Sequence, residues 1–420
     1  MKYQSPKGVS EYFPPRSRAF EWVRDTLIEP IKRSGYQLLE LPVFEETELF
    51  TRGVGASTDV VTKEMYTFED RGGRSITLRP EGTVGALRSI IEHGLDRGAL
   101  PAKIFYSGAF FRAERPQAGR YRQFYSVGIE AVGSDDPALD AEVIAIADAG
   151  FRGLGLKQFK LEITSLGDAQ TRALHQVDLL RYIESLELDE ATLARAEINP
   201  LRLFDDKRKE IRDLMEKAPL LLDYLSDESH EHFEAVQSYL RDLKIEFTIN
   251  PRMVRGLDYY TGTTFEFVHD LLGAQSGIGG GGRYDGLMEQ IGGQLLSGIG
   301  FGLGVDRALL AAEAEGVVNS AAFLTDLYLI PLGAKAKTVA LSLSHELRGL
   351  DLTVEMAFGD RSLKSAMKSA DKSGARYVVI IGDTELASGS VELKQMNTGA
   401  TTSVSLASLV TTLSTELLTW

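Results

Sequence analysis

The chain has 420 residues, 43% hydrophobic and 25% charged, the mix of a globular protein too long for one ordinary core. It contains no cysteine, which excludes disulfides, thiolate zinc sites and cysteine nucleophiles and suits a reducing compartment; the expected location is the cytoplasm. The net charge of −14 argues against non-specific coating of nucleic acid but leaves room for a local basic site, and the sequence has neither a signal-like opening nor a bilayer-length apolar run.

In chain order, residues 16 to 34 read as an amphipathic helix with Phe20, Val23, Leu27 and Ile31 on one face and Gly35 as its stop. A strand is expected over "YQLLELPVFE". "RSITLRPEGT" and the helix "VGALRSIIEHGL" come next. "KIFYSGAFFRAE" and "RQFYSVGIEAVG" flank the polar "RPQAGRY" as a long antiparallel hairpin. From about 168 to 247, charged helical patterns such as "KRKEIRDLMEKAPLLLDYL" predict an inserted helical subdomain. Sheet patterns return at 253 and run through "SGIGGGGRYDGL" to "SGIGFGLGVDRALLAA". Beyond the weakly patterned "EAEGVVNSAAFLTD", strands and helices alternate, which predicts an α/β domain over 326–420 behind a first domain of 1–325.

Period two along a strand groups the chemistry. Phe124, Ser126, Gly128 and Glu130 share one face, and Phe110, Arg112 and Glu114 share a face of the partner strand. Glu130 in an apolar strand needs a cationic or hydrogen-bonding partner, since a buried carboxylate left alone costs roughly 3–5 kcal/mol. A structural Arg112–Glu130 bridge is one way to meet that need and a ligand site is the other. "AQSGIGGGGRYDGL" contains G-x-G-x-x-G at Gly277, Gly279 and Gly282, but its surroundings are not βαβ, so a dinucleotide fold is rejected. The glycines fit either a flexible loop or a strand whose bare backbone lets a ligand approach. Arg307, at the start of an apolar helix, could clamp an anion or form a surface salt bridge. Arg361, Lys364, Lys368 and Lys372 form one helical stripe, either a solvated face or a basic site. His93, His175, His230, His232, His269 and His345 show no metal-ligand spacing, and no protein metal site is expected.

Together these stretches resemble the class II aminoacyl-tRNA synthetases and, within them, the histidyl-tRNA synthetase family. "LELPVFEE" around Pro42 is similar to the dimer-interface motif, "FFRAERPQAGRYRQF" to the second motif and "GIGFGLGVDRALL" to the third. "RGLDYYTGTTFEF" and "GGGGRYDGL" resemble histidyl members rather than the threonine, proline or glycine enzymes. The resemblance implies an α+β catalytic core, an antiparallel sheet flanked by helices and holding the helical insertion, followed by an anticodon-binding domain that includes "GDRSLKSAMKSADKSGARYVVIIG". It also implies a cytoplasmic homodimer that joins histidine to its tRNA with ATP, magnesium riding mainly on the ATP phosphates.

The roles it implies are specific. Arg112 and Arg255 act on the α-phosphate and the histidine carboxylate. Phe124 and Arg307 sandwich adenine, Arg307 also meeting the γ-phosphate, and Glu114 reaches adenine or the terminal nucleotide of the tRNA. Glu81 and Thr83 receive the α-ammonium, while Glu130 and Tyr260 bind the imidazole nitrogens with Tyr259 beside them. Arg115, Gln117, Arg120 and Arg122 approach the acceptor stem, and Arg361, Lys364 and Lys368 the anticodon arm. Where this chain has Ser126 the family usually has Gln, so water or a neighbour must supply part of the amino-acid contact. The rival reading is the non-catalytic, synthetase-like histidine-binding regulatory subunit of ATP phosphoribosyltransferase, which typically lacks the C-terminal domain and some of the arginines retained here.

Overall fold

The computed structural model describes residues 3–55, 58–206, 208–319, 325–359 and 362–417, and the chain divides into compact units at 1–318 and 319–420. The helix Arg16–Arg33 forms as the periodicity predicts: Phe20, Val23, Leu27 and Ile31 are buried, and Gly35 follows at φ 82°, a left-handed value that glycine adopts without steric cost.

Among the described residues of the first unit, eleven strands follow. They are β1 (Gln37–Leu38), β2 (Phe44–Glu46), β3 (Tyr66–Glu69), β4 (Ser75–Leu78), β5 (Ala102–Phe111), β6 (Gln123–Val132), β7 (Phe159–Ser165), β8 (Thr248–Ile249), β9 (Thr261–His269), β10 (Gly277–Arg283) and β11 (Gly298–Gly304). Eight of them make one sheet in the order β1-β5-β6-β11-β10-β9-β7-β8. The sheet is antiparallel in its body, as expected, and mixed only at its edges. Its six central strands are antiparallel, but the two-residue edge strands β1 and β8 pair parallel with β5 and β7. Each arrives from a helix-containing connection, not a hairpin, so its direction is not tied to its neighbour's.

"YQLLELPVFE" is not one strand either. Its first half enters the large sheet as β1, and its second half becomes β2 of a separate sheet ordered β2-β4-β3. Pro42 has no N–H to continue a ladder. Arg79 occupies the carbonyls there instead, its Nη1 donating to Leu41 at 2.8 Å and to Pro42 at 3.3 Å.

The insertion contains the helices Ala169–Glu184, Glu190–Ile198, Lys209–Met215 and Asp227–Asp242. The first is capped by Asp168, whose carboxylate accepts from the Thr171 N–H at 2.7 Å. Leu179, Ile183, Ala196, Leu203, Ile211 and Met215 close a small core of their own. The last helix departs from this cluster. It packs on the helix Pro137–Gly153, where His232 meets Asp140 at 2.9 Å.

The second unit has β12 (Leu327–Pro331), β13 (Val354–Met356), β14 (Tyr377–Ile381), β15 (Ser390–Gln395) and β16 (Thr401–Ser405) in the order β13-β12-β14-β15-β16. The first three strands in that order run parallel and the hairpin is antiparallel, as the alternating pattern predicts. The short helix Asp383–Ser388 and the closing helix Leu409–Leu417 are additions to the sequence reading. On the helix Leu363–Ser373, Lys364, Lys368 and Lys372 are exposed while Ala366 and Ala370 are buried; Arg361 lies outside the described residues. No helix among the described residues is long and apolar enough to cross a membrane.

Candidate active site

The β5/β6 hairpin sets one wall of the site. Its register places Phe110 opposite Phe124 and Ile104 opposite Glu130. Beyond the end of β5, Arg112 donates through Nε to the Pro80 carbonyl at 2.9 Å, and its guanidinium stands 5.5 Å from the Phe124 ring centroid. β10 and β11 form the floor. Their approach is so close that a Cβ on Gly281 would collide with the Gly300 carbonyl, and one on Gly280 would lie 2.7 Å from the Phe265 carbonyl and 3.0 Å from Arg255 Nη1. The glycine run is therefore a sheet strand with bare backbone facing the pocket, not a loop.

A pocket of about 290 Å³ opens above this floor. It gathers Glu81, Thr83, Arg112, Glu114, Arg120, Phe124, Ser126, Arg255, Tyr259, Tyr260 and Arg307, residues scattered over more than two hundred positions of sequence. Glu81 precedes the helix Thr83–Glu92 and accepts from the N–H groups of Thr83 at 2.8 Å and Val84 at 3.0 Å. Burial pushes its pKa up, against the pull of those two donors. Tyr259 lies within 3.4 Å of both Glu81 and Thr83 through its hydroxyl.

Arg255 is held against the Tyr260 ring, 5.0 Å from its centroid, with Glu266 at 3.7 Å. Burial works against its charge, but Tyr260 and Glu266 outweigh that cost and raise its pKa. Arg307 is anchored on main chain at two points. Its Nε donates to the Gly119 carbonyl at 2.8 Å and its Nη1 to the Gly277 carbonyl at 2.6 Å, tying the loop after β5 to the start of β10.

Glu130 is placed differently from expectation. It does not bridge to Arg112, and it lies behind the pocket lining, fully buried. Tyr106 donates to its Oε1 at 3.0 Å and Tyr284 to its Oε2 at 2.6 Å. The parity of the two strands agrees, but the register separates the residues. Arg112 is eight positions beyond Glu130's partner Ile104 (112 − 104), on the order of 26 Å along the strand. Burial pushes the Glu130 carboxyl up to about 8, against the hydroxyls that stabilise its anion. Between the ordinary carboxylate range and pH 8, the native state then holds a proton that the unfolded chain has released, so stability falls as pH rises through that window. Glu130→Gln should flatten thermal unfolding between pH 5 and 8 by up to about 1.4 kcal/mol per pH unit relative to the unaltered chain. Parallel stability curves for the two proteins would refute it.

The remaining candidates divide. Ser126 lines the pocket but commits its hydroxyl to the Leu303 carbonyl at 3.0 Å. Arg120 faces inward, paired with Glu114 and 3.5 Å from Glu64, rather than pointing out to solvent. Arg122 is engaged by main chain, donating to the carbonyls of Glu114 at 3.1 Å and Lys7 at 3.3 Å. Arg115 and Gln117 are exposed on the loop. Tyr106, Tyr284, Glu266 and Asp306 went unread in the sequence. Tyr106 has the same even parity as Phe110 and Arg112, and Tyr284 lies inside the quoted glycine motif, so both carried a usable signal. Among the described residues no group of three or more His, Cys, Asp or Glu side chains is arranged to hold a metal ion.

Sheet and site together fit the class II aminoacyl-tRNA synthetase framework that the sequence motifs resemble. The family model described as Histidyl-tRNA synthetase matches residues 8–308, and the Anticodon binding domain model matches 326–416. The Histidine–tRNA ligase of Saccharopolyspora erythraea is 60% identical over 397 residues, covering 94% of each chain. That of Rhodococcus jostii is 59% identical over 408 residues, covering 97% of this chain and 96% of its own. The crystal structure of apo S. aureus histidyl-tRNA synthetase matches with a TM-score of 0.81 at 35% identity, over 98% of this chain and 99% of that one. The chain belongs to the histidyl-tRNA synthetase family.

Proposed function

We propose that this protein is a histidine–tRNA ligase, which activates histidine with ATP and transfers it to the 3′ end of its tRNA. The observation that carries the reading is the convergence of Arg112 and Arg255 on one pocket with Glu81, Thr83 and Tyr259. Two anions must meet there, a histidine carboxylate and the α-phosphate, and the nucleophile is already ionised, so catalysis is positioning plus neutralisation. Arg112 and Arg255 would supply the charge. Glu81 and Thr83 would fix the α-ammonium, since Glu81 Oε1 keeps a lone pair after its backbone bond.

Phe124 would stack on adenine, with Arg307 over the other face and Glu114 at its edge. Carboxylate attack on phosphorus expels pyrophosphate, and the terminal ribose hydroxyl of the tRNA then attacks the adenylate carbonyl. Magnesium would arrive on the ATP phosphates, and Glu114 and Glu266, two of the acidic groups lining the pocket, stand beside arginines. Glu130 would govern the imidazole through its two tyrosines or by exchanging one of them for the ring, with Tyr260 at the second nitrogen. Ser126 leaves the missing Gln's contact to water.

Arg115 and Gln117 are the exposed members of the acceptor-stem group, and Lys364 and Lys368 lie on an exposed helix face for the anticodon arm. A cytoplasmic homodimer completes the reading. The exposed Phe44 and Phe68, with ring centroids 6.5 Å apart on the small sheet, fit a surface covered by a second copy. ATP–pyrophosphate exchange with each amino acid supplied separately tests the reading. Exchange with histidine alone is expected. Histidine binding without exchange would return the regulatory-subunit reading.

A further inference from the structure

Residues 252–260, the segment that brings Arg255 and Tyr259 to the pocket, have no ladder of their own. Arg255, Leu257, Tyr259 and Tyr260 line the pocket. The backbone of the segment and the Asp258 side chain are gripped from the helical insertion. Arg202 Nη2 donates to the Gly256 carbonyl at 3.0 Å, Asn199 Nδ2 to Asp258 Oδ1 at 3.3 Å, and Arg172 Nη1 to the Tyr260 carbonyl at 2.8 Å. In the other direction, Arg252 donates to the Glu216 carbonyl of the insertion at 2.7 Å. Those donors stand on a body with its own apolar core, built from residues between Leu179 and Ala218.

We infer that Arg172, Asn199 and Arg202 are positioning residues for the amino-acid end of the pocket, so that the insertion sets how Arg255 and Tyr259 meet their substrate. The inference rests on the proposed activity and adds to it a role for the insertion in histidine recognition. A segment without strand partners takes its shape from whatever satisfies its polar groups. Here, three of those satisfying groups come from one separately packed body, while the opposite side of the same segment faces the ligand. The ATP end is built from β5, β6, the loop between them and Arg307, none of which these three donors touch. Loss of the grip should therefore fall on histidine and spare ATP.

The test is ATP–pyrophosphate exchange kinetics on full-length Arg172→Gln, Asn199→Ala and Arg202→Gln proteins, with thermal unfolding alongside. Expected is a rise of roughly ten- to a hundred-fold in the histidine KM for Arg172→Gln and Arg202→Gln. The ATP KM should stay within about twofold, the level of an interaction not touched. Arg172→Lys should recover most of the loss, because an ammonium still donates to the Tyr260 carbonyl. Arg181→Ala, which breaks only an exposed pair with Asp178 on the same insertion, should leave both constants unchanged. An unchanged histidine KM in all three variants, equal rises in both KM values, or the same shift in Arg181→Ala would overturn the inference. Should the unaltered protein show no histidine-dependent exchange, the proposed activity fails instead. The inference is then decided by calorimetric titration with histidine, where equal affinity in the unaltered and Arg172→Gln proteins refutes it.

Discussion

Replacing Arg255 with alanine should lower histidine-dependent pyrophosphate exchange by about 10²–10³-fold, the loss seen when one preorganised donor to a developing charge is removed. The size follows from how little the site spends on holding this group in place during reaction. Arg255 already stands over the Tyr260 ring, 5.0 Å from its centroid, with Glu266 beside it, and its charge is kept in a buried setting where a charged contact weighs more than in water. The side chain also covers Gly280, so its removal opens a gap over the floor as well as deleting a charge. Lysine should not substitute well, because a point charge cannot serve a phosphate and a carboxylate together as a planar fork does. Exchange rates at saturating ATP, measured with unchanged thermal unfolding, give the comparison. A loss below tenfold would remove Arg255 from the catalytic set.

The second large effect is on stability. Gly281→Ala should destabilise the first unit by about 3 kcal/mol, the upper end of what overpacking costs, and should abolish histidine binding with it. The added methyl would meet the Gly300 carbonyl and the Phe301 Cα, both backbone atoms of the adjoining strand β11, so no rotamer change can make room. Gly277→Ala is the comparison, since the nearest obstacle there is the flexible end of Glu266. Urea unfolding of both variants decides the matter: equal midpoints would show that β10 and β11 can move apart.

Much of this molecule is written locally. The β5/β6 hairpin, the helix Arg16–Arg33 and the alternation of strands and helices in the second unit follow from hydrophobic period and turn residues, which a sequence displays directly. The motifs likewise named most of the pocket's charged groups before any geometry was known. What escaped was register and long-range pairing. Glu130 needed a partner, and parity offered Arg112, but the partners are Tyr106 and Tyr284, one of them just past the end of β10 and 154 positions away along the chain. The same limit hid Arg172, which reads as an ordinary helix residue until its donor is seen on the Tyr260 carbonyl. It also blurred the insertion, whose last helix has the composition of its neighbours and the packing of the catalytic core.

Arg307 shows how a side chain read from sequence as an anion clamp or a salt bridge can also carry structure. Two of its donors bind main-chain carbonyls on separate elements, fixing the side chain in a set direction. A single residue thereby joins the loop after β5, the glycine strand and the helix Val305–Glu315.

The bare floor has a bearing on how such a pocket can change over time. Where a binding surface is paved with side chains, selection can reshape it by exchanging one residue for another. β10 offers no such handle, because most of its surface is peptide backbone pressed against two neighbouring strands, and most added atoms displace a strand. Change in what the pocket accepts is therefore open to its rim, to loops such as 252–260 and to the bodies that hold them, and closed to the floor.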